Sequence, residues 1–245
     1  MKPLLFVYDY LVMIFGLLWL ALLCLVWALI STLLYPLLPS NLRTRIGRRA
    51  VMLGFRFYLA SLTLTGRCRF DLSELDQLRD AGPLILAPNH PCLLDAVMII
   101  SRLPNVACVM KGKLMGNVLF ASGARLAGYL PNESIQQMVH QACDDFAHGS
   151  QLLLFPEGTR TTRRPVNPFV GSVGLIARQA QVPIQAIFIE TESPYLGKGW
   201  PLLRKPDLPI RYKVRLGKRF EPQDNLRRLT AELETYFSQE LQQPC

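Results

Sequence analysis

The distribution of apolar and polar positions divides the chain into a long apolar N-terminal segment and an alternating remainder. Residues 10–38 contain no charged side chain. As an α-helix this segment would be about 43 Å long, which exceeds the roughly 30 Å hydrocarbon core of a bilayer. Its length argues against a buried core helix, and no small-residue cleavage site follows it, as a signal peptide would require. The pattern therefore predicts a membrane helix that either spans the bilayer or lies in one leaflet.

The segment after this helix combines arginines with apolar residues. No acidic residue lies between Asp9 and Asp71. The arginines of that interval are Arg43, Arg45, Arg48, Arg49, Arg56, Arg67 and Arg69. Because they follow an apolar helix directly, they favour a second, amphipathic helix on an anionic leaflet over a nucleic-acid surface. Residues 1–60 are thus predicted to be membrane-associating helices, and the positive-inside rule predicts that the rest lies on the cytoplasmic side of the inner membrane.

Short apolar runs alternate with helical patterns through residues 61–245, which predicts one globular domain. The predicted strands are residues 62–65, 83–87, 106–110, 151–155, 184–189 and 210–216. The predicted helices are a short one from residue 71 and longer ones at 93–101, 135–147, 173–179 and 224–239. Residues 210–216 alternate between basic and apolar side chains, as expected of an edge or half-exposed strand. Together these elements predict an α/β fold in which helices flank a mixed, mostly parallel sheet.

A polar turn that contains a histidine and an aspartate follows the strand at residues 83–87. The turn reads Asn89-His90-Pro91-Cys92-Leu93-Leu94-Asp95, and an apolar helix resumes after it. Five positions on an ideal helix turn through roughly 140°, so the two side chains meet only if His90 precedes the helix and Asp95 lies in its first turns. Pro91 suits the first position of such a helix. The pair would be an imidazole oriented by a carboxylate, which suits a general base acting on a hydroxyl.

A second polar turn follows the strand at residues 151–155. The stretch Phe155-Pro156-Glu157-Gly158-Thr159-Arg160 supplies a carboxylate and an arginine. With this second motif, the sequence resembles the glycerolipid and lysophospholipid acyltransferase superfamily, which includes bacterial 1-acyl-sn-glycerol-3-phosphate acyltransferases of the PlsC type. That family shows Asn-His, four residues and Asp, and later Phe-Pro-Glu-Gly-Thr-Arg. Because both motifs occur in order and at a suitable distance, they favour a functional site over a chance structural pair.

The resemblance covers most of residues 60–220 and implies a glycerolipid acyltransferase fold and a reaction. A fatty acyl group would pass from acyl-CoA or acyl carrier protein to a hydroxyl of a lysolipid, by default 1-acylglycerol-3-phosphate, giving phosphatidic acid. His90 would deprotonate the hydroxyl, and Asp95 would orient the ring and stabilise the imidazolium. The implied substrate-binding residues are Asn89, Lys111, Phe155, Pro156, Glu157, Gly158, Thr159 and Arg160. No metal or cofactor is expected, and the expected partners are membrane lipids, not nucleic acid.

Two departures from the family pattern concern the acceptor. Lys111 matches a family lysine, but Lys113 stands where the family has an acidic residue. The stretch Gly128-Tyr129-Leu130-Pro131-Asn132 lacks the arginine with which the family often holds the acceptor phosphate. Arg160 remains for bidentate phosphate binding. The alternative acceptor is therefore a non-phosphate lipid, or a lipid-like product of a specialised fatty-acid or polyketide pathway.

The remaining features leave several alternatives open. The six cysteines contain no Cys-x-x-Cys, which favours reduced thiols, and Cys92 near His90 makes a thiol nucleophile an alternative to direct transfer. The stretch Val182–Ile187 either shapes an acyl channel or belongs to the core. No Gly-x-Ser-x-Gly elbow or phosphate-binding loop occurs, which disfavours serine hydrolases and nucleotide hydrolases. The net charge of +9 fits a membrane surface or an anionic substrate, and an inactive, membrane-tethered lipid-binding scaffold is the non-enzymatic alternative.

Overall fold

The structure is a computed structural model that describes residues 2–117 and 121–242. Helices and strands alternate through this part of the chain. Its helices are α1 (Lys2–Leu37), α2 (Ser40–Leu64), α3 (Asp95–Ile100), α4 (Gly112–Met115), α5 (Ala121–Leu126), α6 (Ile135–Ala147), α7 (Ser172–Ala180) and α8 (Leu226–Gln242), with a 3-10 helix at Ser73–Leu78. Its strands are β1 (Cys68–Asp71), β2 (Leu84–Pro88), β3 (Val106–Met110), β4 (Leu130–Pro131), β5 (Gln151–Leu153), β6 (Ile184–Glu190) and β7 (Ile210–Phe220).

The strands form one sheet in the order β1-β7-β6-β2-β5-β3-β4. All neighbouring strands run parallel except β6 and β7, which are antiparallel. This topology confirms the predicted α/β fold with a mixed, mostly parallel sheet. Because β6, β2, β5 and β3 point the same way, their carboxyl ends line one edge of the sheet, which we call the carboxyl edge. Loops at such an edge are a common place for functional sites.

Helices cover the sheet on both faces and bury its central strands. Every residue of β2 and β5 is buried, as is all of β6 except its last residue. One apolar cluster joins α2 and α3 to one face of the sheet, and a second joins α6, α7 and α8 to the other. Val182, Ile184 and Ala186 lie in the second cluster and Ile187 in the first, so this stretch belongs to the core.

Two predicted strands differ from the structure. Residues 62–64 are the end of α2, and Thr65 is its C-cap. The buried positions Tyr58, Leu59 and Leu62 have helical spacing, which the alternation of four residues could not reveal. The strand at residues 210–216 is half-exposed as predicted, but it is not at an edge, because β1 pairs with it on its outer side. The short elements β1, α4, α5 and β4 were not predicted.

The N-terminal helix pair is docked on the rest of the protein along its length. At one end of α1, Asp9 pairs with Arg67, with Nε and Oδ1 2.7 Å apart. At the other end, the Ser31 hydroxyl lies 2.9 Å from that of Ser122 in α5. These two contacts are separated by roughly 33 Å of helix. The division of the chain at residue 60 stays a prediction, and α2 itself continues to Leu64.

Close approach of the helix pair to α5 depends on two glycines. A Cβ atom at Gly47 would lie 2.6 Å from the carbonyl oxygen of Leu126, and one at Gly123 would lie 2.5 Å from the indole nitrogen of Trp27. The opposite face of α1 is apolar and exposed. By length and composition alone, Pro3–Leu37 could cross a membrane, with a mean hydropathy of 2.7 in its most apolar window. Of that window 17% is buried, so most of this apolar surface has no protein partner among the described residues.

The arginines of α2 contact the domain more than the sequence predicted. Arg48 is buried, and its guanidinium donates to the Ala127 carbonyl at 2.9 Å and to the Ser150 hydroxyl at 2.7 Å. It also donates to Asn105 at 2.9 Å and forms an ion pair with Asp145 at 2.8 Å. Arg48 therefore joins α2 to three segments of the domain, and the predicted contact with an anionic leaflet is wrong for this residue.

We expect Arg48→Ala to lower the free energy of unfolding by about 3 kcal/mol, because it leaves a partly buried carboxylate and several acceptors without a donor. The neighbouring Arg49 is exposed, so Arg49→Ala is the matched control and should change stability little. Denaturant unfolding of both variants in detergent measures the difference. Equal stability of the two variants would show that the buried guanidinium does not hold α2 in place.

Candidate active site

The two polar turns identified in the sequence leave neighbouring parallel strands. β2 and β5 pair with Leu86 opposite Leu153, and both strands run toward the carboxyl edge. His90 follows the end of β2 by two residues, and Glu157 follows the end of β5 by four. Strand pairing therefore brings the two turns together, although they are far apart in sequence. The backbone N–H of His90 donates to the Glu157 carboxylate at 3.0 Å, which confirms direct contact between the turns.

His90 and Asp95 are in hydrogen-bond contact, with Nδ1 and Oδ2 2.8 Å apart. Asp95 is fully buried and is the first residue of α3, whereas His90 lies on the turn before it. Pro91 precedes α3 by four residues, so its predicted place at the first helical position is wrong. The Cys92 N–H also donates to Oδ2 at 2.9 Å, and the Cys92 thiol to Oδ1 at 2.9 Å.

The environment of the pair favours one arrangement of its protons. Burial raises the pKa of the Asp95 carboxyl above its usual value, although the hydrogen bonds from His90 and Cys92 act in the opposite direction. Two donors from Cys92 point at the carboxyl group, so the ionised form is the one that these contacts match. A carboxylate only accepts hydrogen bonds, hence the proton of neutral His90 lies on Nδ1. The other ring nitrogen, Nε2, then carries a lone pair that can accept a proton.

The ring of Phe155 covers one face of the imidazole. The two ring centroids are 3.8 Å apart and the rings are inclined by 20°. The His90 side chain remains 18% exposed, so the ring is held but not sealed from its surroundings. Phe155 therefore contacts the histidine, which is a positioning contact that the sequence did not predict for it.

Glu157 holds three segments of the chain together. Its Oε1 accepts from the His90 N–H and, at 2.6 Å, from the Thr161 hydroxyl. Its Oε2 accepts from the Asn167 N–H at 2.8 Å. The Thr161 N–H donates in turn to the His90 carbonyl at 2.7 Å. Glu157 is buried and both of its oxygens are occupied by protein donors, so its observed contacts position the His90 turn, and its role in acceptor binding stays a prediction.

Asn89, which was predicted to contact substrate, makes its side-chain hydrogen bonds within the protein, and its contact with substrate stays a prediction. Its side-chain amide donates to the Ile189 carbonyl at 3.0 Å and accepts from the Ile189 N–H at 2.7 Å. Asn89 is buried, so this pair of bonds continues the pairing of β2 with β6 beyond the end of β2. We therefore assign Asn89 to the support of the turn.

Arg160 lies beside the long loop that joins β6 to β7. Its Nη1 donates to the carbonyl oxygens of Leu196 and Gly197, at 2.8 and 3.0 Å. Among the described residues, no acceptor is within hydrogen-bond distance of its Nε or Nη2. One nitrogen of the guanidinium thus holds the loop, and the binding of an anionic ligand by Arg160 stays a prediction.

The other predicted site residues occupy different positions around the two turns. Pro156 is buried, and its carbonyl accepts from Val170 N–H at 2.8 Å. Gly158 is exposed and has a φ of +64°, a backbone conformation that favours glycine. Thr159 is half-buried beside it. Lys111 is exposed just after β3, which β5 separates from β2, and no described contact links it to His90. The side chain of Lys113 lies outside the part that the structure describes.

The environment of Cys92 is not that of a nucleophile. The thiol is 1% exposed, and burial together with the Asp95 charge raises its pKa well above the usual value. It is therefore protonated and donates to Asp95, whereas a nucleophilic cysteine needs a thiolate. Four of the other cysteines are free thiols, as predicted, and Cys245 lies outside the described residues.

Two residues of the site were missed in the sequence. Thr161 directly follows the second motif, so its position was a signal that could have been used. Asn167 had no such signal, because its contacts depend on the return of the chain to the turn. Its Oδ1 accepts from the N–H groups of Thr162 and Arg163, both at 3.1 Å, and its Nδ2 donates to the Arg160 carbonyl at 3.2 Å.

Comparison with known proteins connects this site with a family. The family model described as Acyltransferase matches residues 69–190, about half of the chain. The matched segment contains both polar turns and the strands that carry them. The chain belongs to this acyltransferase family.

Relatives of this acyltransferase family member include two proteins from animals. One is 1-acyl-sn-glycerol-3-phosphate acyltransferase beta of Homo sapiens, 23% identical over 135 residues that cover 52% of this chain and 48% of that protein. The other is acl-1 of Caenorhabditis elegans, provisionally named a 1-acyl-sn-glycerol-3-phosphate acyltransferase, 28% identical over 126 residues that cover 47% of each. The chain thus spans about half the length of the curated relatives it matches.

A solved structure shares the fold of this member of the acyltransferase family. It is the 1-acyl-sn-glycerophosphate acyltransferase PlsC from Thermotoga maritima, with a TM-score of 0.70 and 15% sequence identity. The match covers 96% of this chain and 97% of that protein. At this identity the likeness concerns the fold, and it includes the helix pair because almost the whole chain is covered.

We expect Glu157→Gln to loosen the acyltransferase site without removing any group from the His90–Asp95 pair. An amide cannot accept all three hydrogen bonds, so hydrogen exchange at the His90 and Asn167 amides should accelerate about tenfold or more. Glu192→Gln is the control, because Glu192 is an exposed carboxylate on the neighbouring loop. Exchange measured by mass spectrometry over residues 88–95 and 161–169 tests this. Unchanged exchange in Glu157→Gln would contradict the positioning role.

Proposed function

We propose that the protein transfers a fatty acyl group from a thioester, acyl-CoA or acyl carrier protein, to a hydroxyl of a lysolipid. The observation that carries this proposal is the 2.8 Å contact between His90 Nδ1 and the buried Asp95 carboxylate. This contact leaves Nε2 as the basic atom of a partly exposed ring. The names of the relatives support 1-acylglycerol-3-phosphate as the default acceptor and phosphatidic acid as the product.

The proposed reaction proceeds in one exchange of bonds at the thioester carbonyl. Nε2 of His90 takes the proton of the acceptor hydroxyl, and the oxygen attacks the carbonyl carbon. A new C–O bond forms and the C–S bond breaks. The leaving thiolate then receives the proton from the imidazolium, which Asp95 stabilises while it exists. The thioester is already activated, so no acyl-enzyme is needed, and the expected absence of a metal and a cofactor stays a prediction.

Arg160 is the residue that would bind an acceptor phosphate. Its Nη1 is held by two loop carbonyls, which fixes the plane of the guanidinium. The Nε–H and Nη2–H groups then form a preoriented pair of donors that suits two phosphate oxygens. This geometry supports a phosphate-bearing acceptor even without the family's second arginine. A neutral lipid acceptor remains the alternative if Arg160 proves to serve the loop only.

The docked helix pair supports a membrane position for this reaction. Because α1 contacts the domain from Asp9 to Ser31, it can enter lipid only with its long axis roughly in the plane of the interface. We therefore favour a helix that lies in one leaflet over one that spans the bilayer. The cytoplasmic face of the inner membrane stays the predicted location.

An apolar cavity of about 240 Å³ lies between the helix pair and α5. Its lining includes Leu23, Trp27, Gly54 and Phe55, and it reaches Met110 at the end of β3. Met110 lies at the carboxyl edge, where His90 also lies. We propose that this cavity holds the end of a fatty acyl chain during transfer. Apolar walls and a position beside the lipid-facing helix suit this ligand.

Filling this cavity should shorten the preferred acyl chain. A Cβ atom at Gly54 would meet no atom within 4 Å, so Gly54→Leu adds a side chain to the cavity without a backbone clash. We expect kcat/KM for the longest acyl thioesters to fall about tenfold while shorter ones are retained. Ala60→Leu is the control, because Ala60 is exposed on α2 and does not line the cavity. An unchanged chain-length profile in Gly54→Leu would place the acyl chain elsewhere.

The proposed general base predicts loss of transfer in His90→Ala. Transfer should fall by about 10²-fold or more, while membrane binding persists. His140→Ala is the control, because the His140 side chain is 81% exposed on α6. The assay combines transfer to defined lysolipids with lipidomics of cells that lack the protein or carry His90→Ala. If one lysolipid accumulates in both of these strains, that lysolipid is identified as the acceptor.

The same experiment separates an enzyme from an inactive scaffold. A lipid-binding scaffold has no transfer activity to lose, so cells with His90→Ala would resemble the wild type. Unchanged lipids in the deficient strain and in the His90→Ala strain would count against the acyltransferase. Accumulation of an acceptor without phosphate would retain the transfer but reject lysophosphatidic acid.

A further inference from the structure

The loop that joins β6 to β7, residues 191–209, presents two leucines to the surroundings. Leu202 is 57% exposed and Leu203 is 66% exposed, although most leucines of the domain are buried. They occupy the two central positions of a turn in which the Arg204 N–H donates to the Pro201 carbonyl at 2.9 Å. An adjacent pair of leucines at the tip of a turn can enter a lipid surface or another apolar partner.

The turn is held in place by its own side chains. The indole N–H of Trp200 donates to the Arg204 carbonyl at 3.1 Å, and the Arg204 guanidinium lies 4.9 Å from the centre of the Trp200 ring. Tyr195 is buried at the base of the loop and contacts the same indole, with ring centroids 6.2 Å apart. The exposed leucines thus belong to an ordered turn, which reduces the entropy lost when they bind.

Charge and position point to lipid as the partner of this turn. Arg204 follows the two leucines directly, and both Arg204 and Lys198 are exposed on this loop, which suits the phosphates of an anionic leaflet. Lys205 also joins the turn to the start of α1. Its Nζ lies 3.7 Å from Asp9 Oδ2 and 5.4 Å from the centre of the Phe6 ring. Phe6 is 59% exposed, so the leucine turn continues the apolar surface of α1.

The base of the loop is bonded directly to both turns of the site. The Leu196 carbonyl accepts from the Leu93 N–H at 3.1 Å and from Arg160 Nη1 at 2.8 Å. Leu93 lies between His90 and Asp95 in the first turn, and Arg160 ends the second motif. A force that fixes the leucine turn at a surface therefore also fixes the orientation of the site toward that surface.

We propose that residues Pro201–Lys205 form a second membrane anchor, in which Leu202 and Leu203 enter the leaflet, Arg204 contacts lipid phosphates and Lys205 ties the turn to α1 through Asp9. Together with α1 this anchor defines a plane, so the carboxyl edge faces the lipid instead of rotating about the helix axis. The proposal rests on the membrane position given under the proposed function, but it does not depend on catalysis.

A fluorescent label at position 203 tests the anchor directly. In full-length protein, Cys24, Cys143 and Cys245 are replaced by serine, and the buried Cys68, Cys92 and Cys108 are retained. An environment-sensitive dye is attached to Leu203→Cys, to Leu11→Cys on the exposed face of α1, or to Ile135→Cys on the opposite layer. Each protein is mixed with vesicles of phosphatidylglycerol and phosphatidylcholine that carry nitroxides at known depths. We expect the dyes at 203 and 11 to be quenched at a depth of about 5–10 Å, and the dye at 135 to remain in water.

Three results would overturn the anchor. The first is a water-exposed dye at 203 when the dye at 11 is quenched, since α1 alone would then hold the protein. The second is equal quenching at 203 and 135, since the contact would not be specific to the turn. The third is a lack of quenching at both 203 and 11, which would reject docking on these vesicles altogether.

Charge and activity provide independent measurements. Arg204→Gln should weaken the preference for anionic over neutral vesicles by about fivefold, whereas Arg227→Gln, at an exposed position of α8, should not. Leu202→Ser with Leu203→Ser should slow transfer to an acceptor in vesicles about tenfold and leave transfer to a short-chain acceptor in solution unchanged. If no variant or wild-type protein transfers acyl groups, the proposed function fails while the label experiment still decides on the anchor.

Discussion

The buried carboxylate of Asp95 is the constraint on which the site depends. A carboxylate removed from water is costly unless donors surround it, and here His90 Nδ1, the Cys92 N–H and the Cys92 thiol all point at it. These donors come from the short turn between β2 and α3, so the turn must close tightly around the first residue of the helix. The closed turn also places the proton of neutral His90 on Nδ1, so that Nε2 is the atom that can accept a proton.

A turn this tight is supported by its neighbours, and the second motif supplies that support. Glu157 accepts from the His90 N–H, Thr161 returns a bond to the His90 carbonyl, and Phe155 covers the ring. Most of the polar groups of the motif therefore make their hydrogen bonds within the protein. Of its charged groups, only part of Arg160 is directed away from protein acceptors, which makes Arg160 the residue of the motif best placed to meet a ligand.

The sequence predicted the parts of the site that depend on local order and missed those that depend on pairing between distant segments. The strand-turn-helix around His90 could be derived because only four residues lie between His90 and Asp95, and their side chains can meet only if the histidine precedes the helix. The roles of Asn89 and Glu157 could not, since each depends on which strands are neighbours in the sheet. Asn167 had no local signal at all. In the fold, buried strands were recognised from apolar runs, whereas the end of α2 at Leu62 resembled a strand because four residues do not distinguish the two periods.

The arginines of α2 show that a basic, amphipathic helix can face either a membrane or the protein's own domain. Their position after an apolar helix favours contact with lipid, but Arg48 is buried against Asp145 and the Ala127 carbonyl. A buried ion pair of this kind carries a desolvation cost. It also fixes the position of α2 on the domain, because only one placement of the helix lets the pair form. The apolar face of α1 is left for the membrane once the polar face of α2 is fixed to the domain. With the proposed membrane position, the orientation of the site toward lipid would be set by a polar contact inside the protein, on the side of the helix pair that faces the domain.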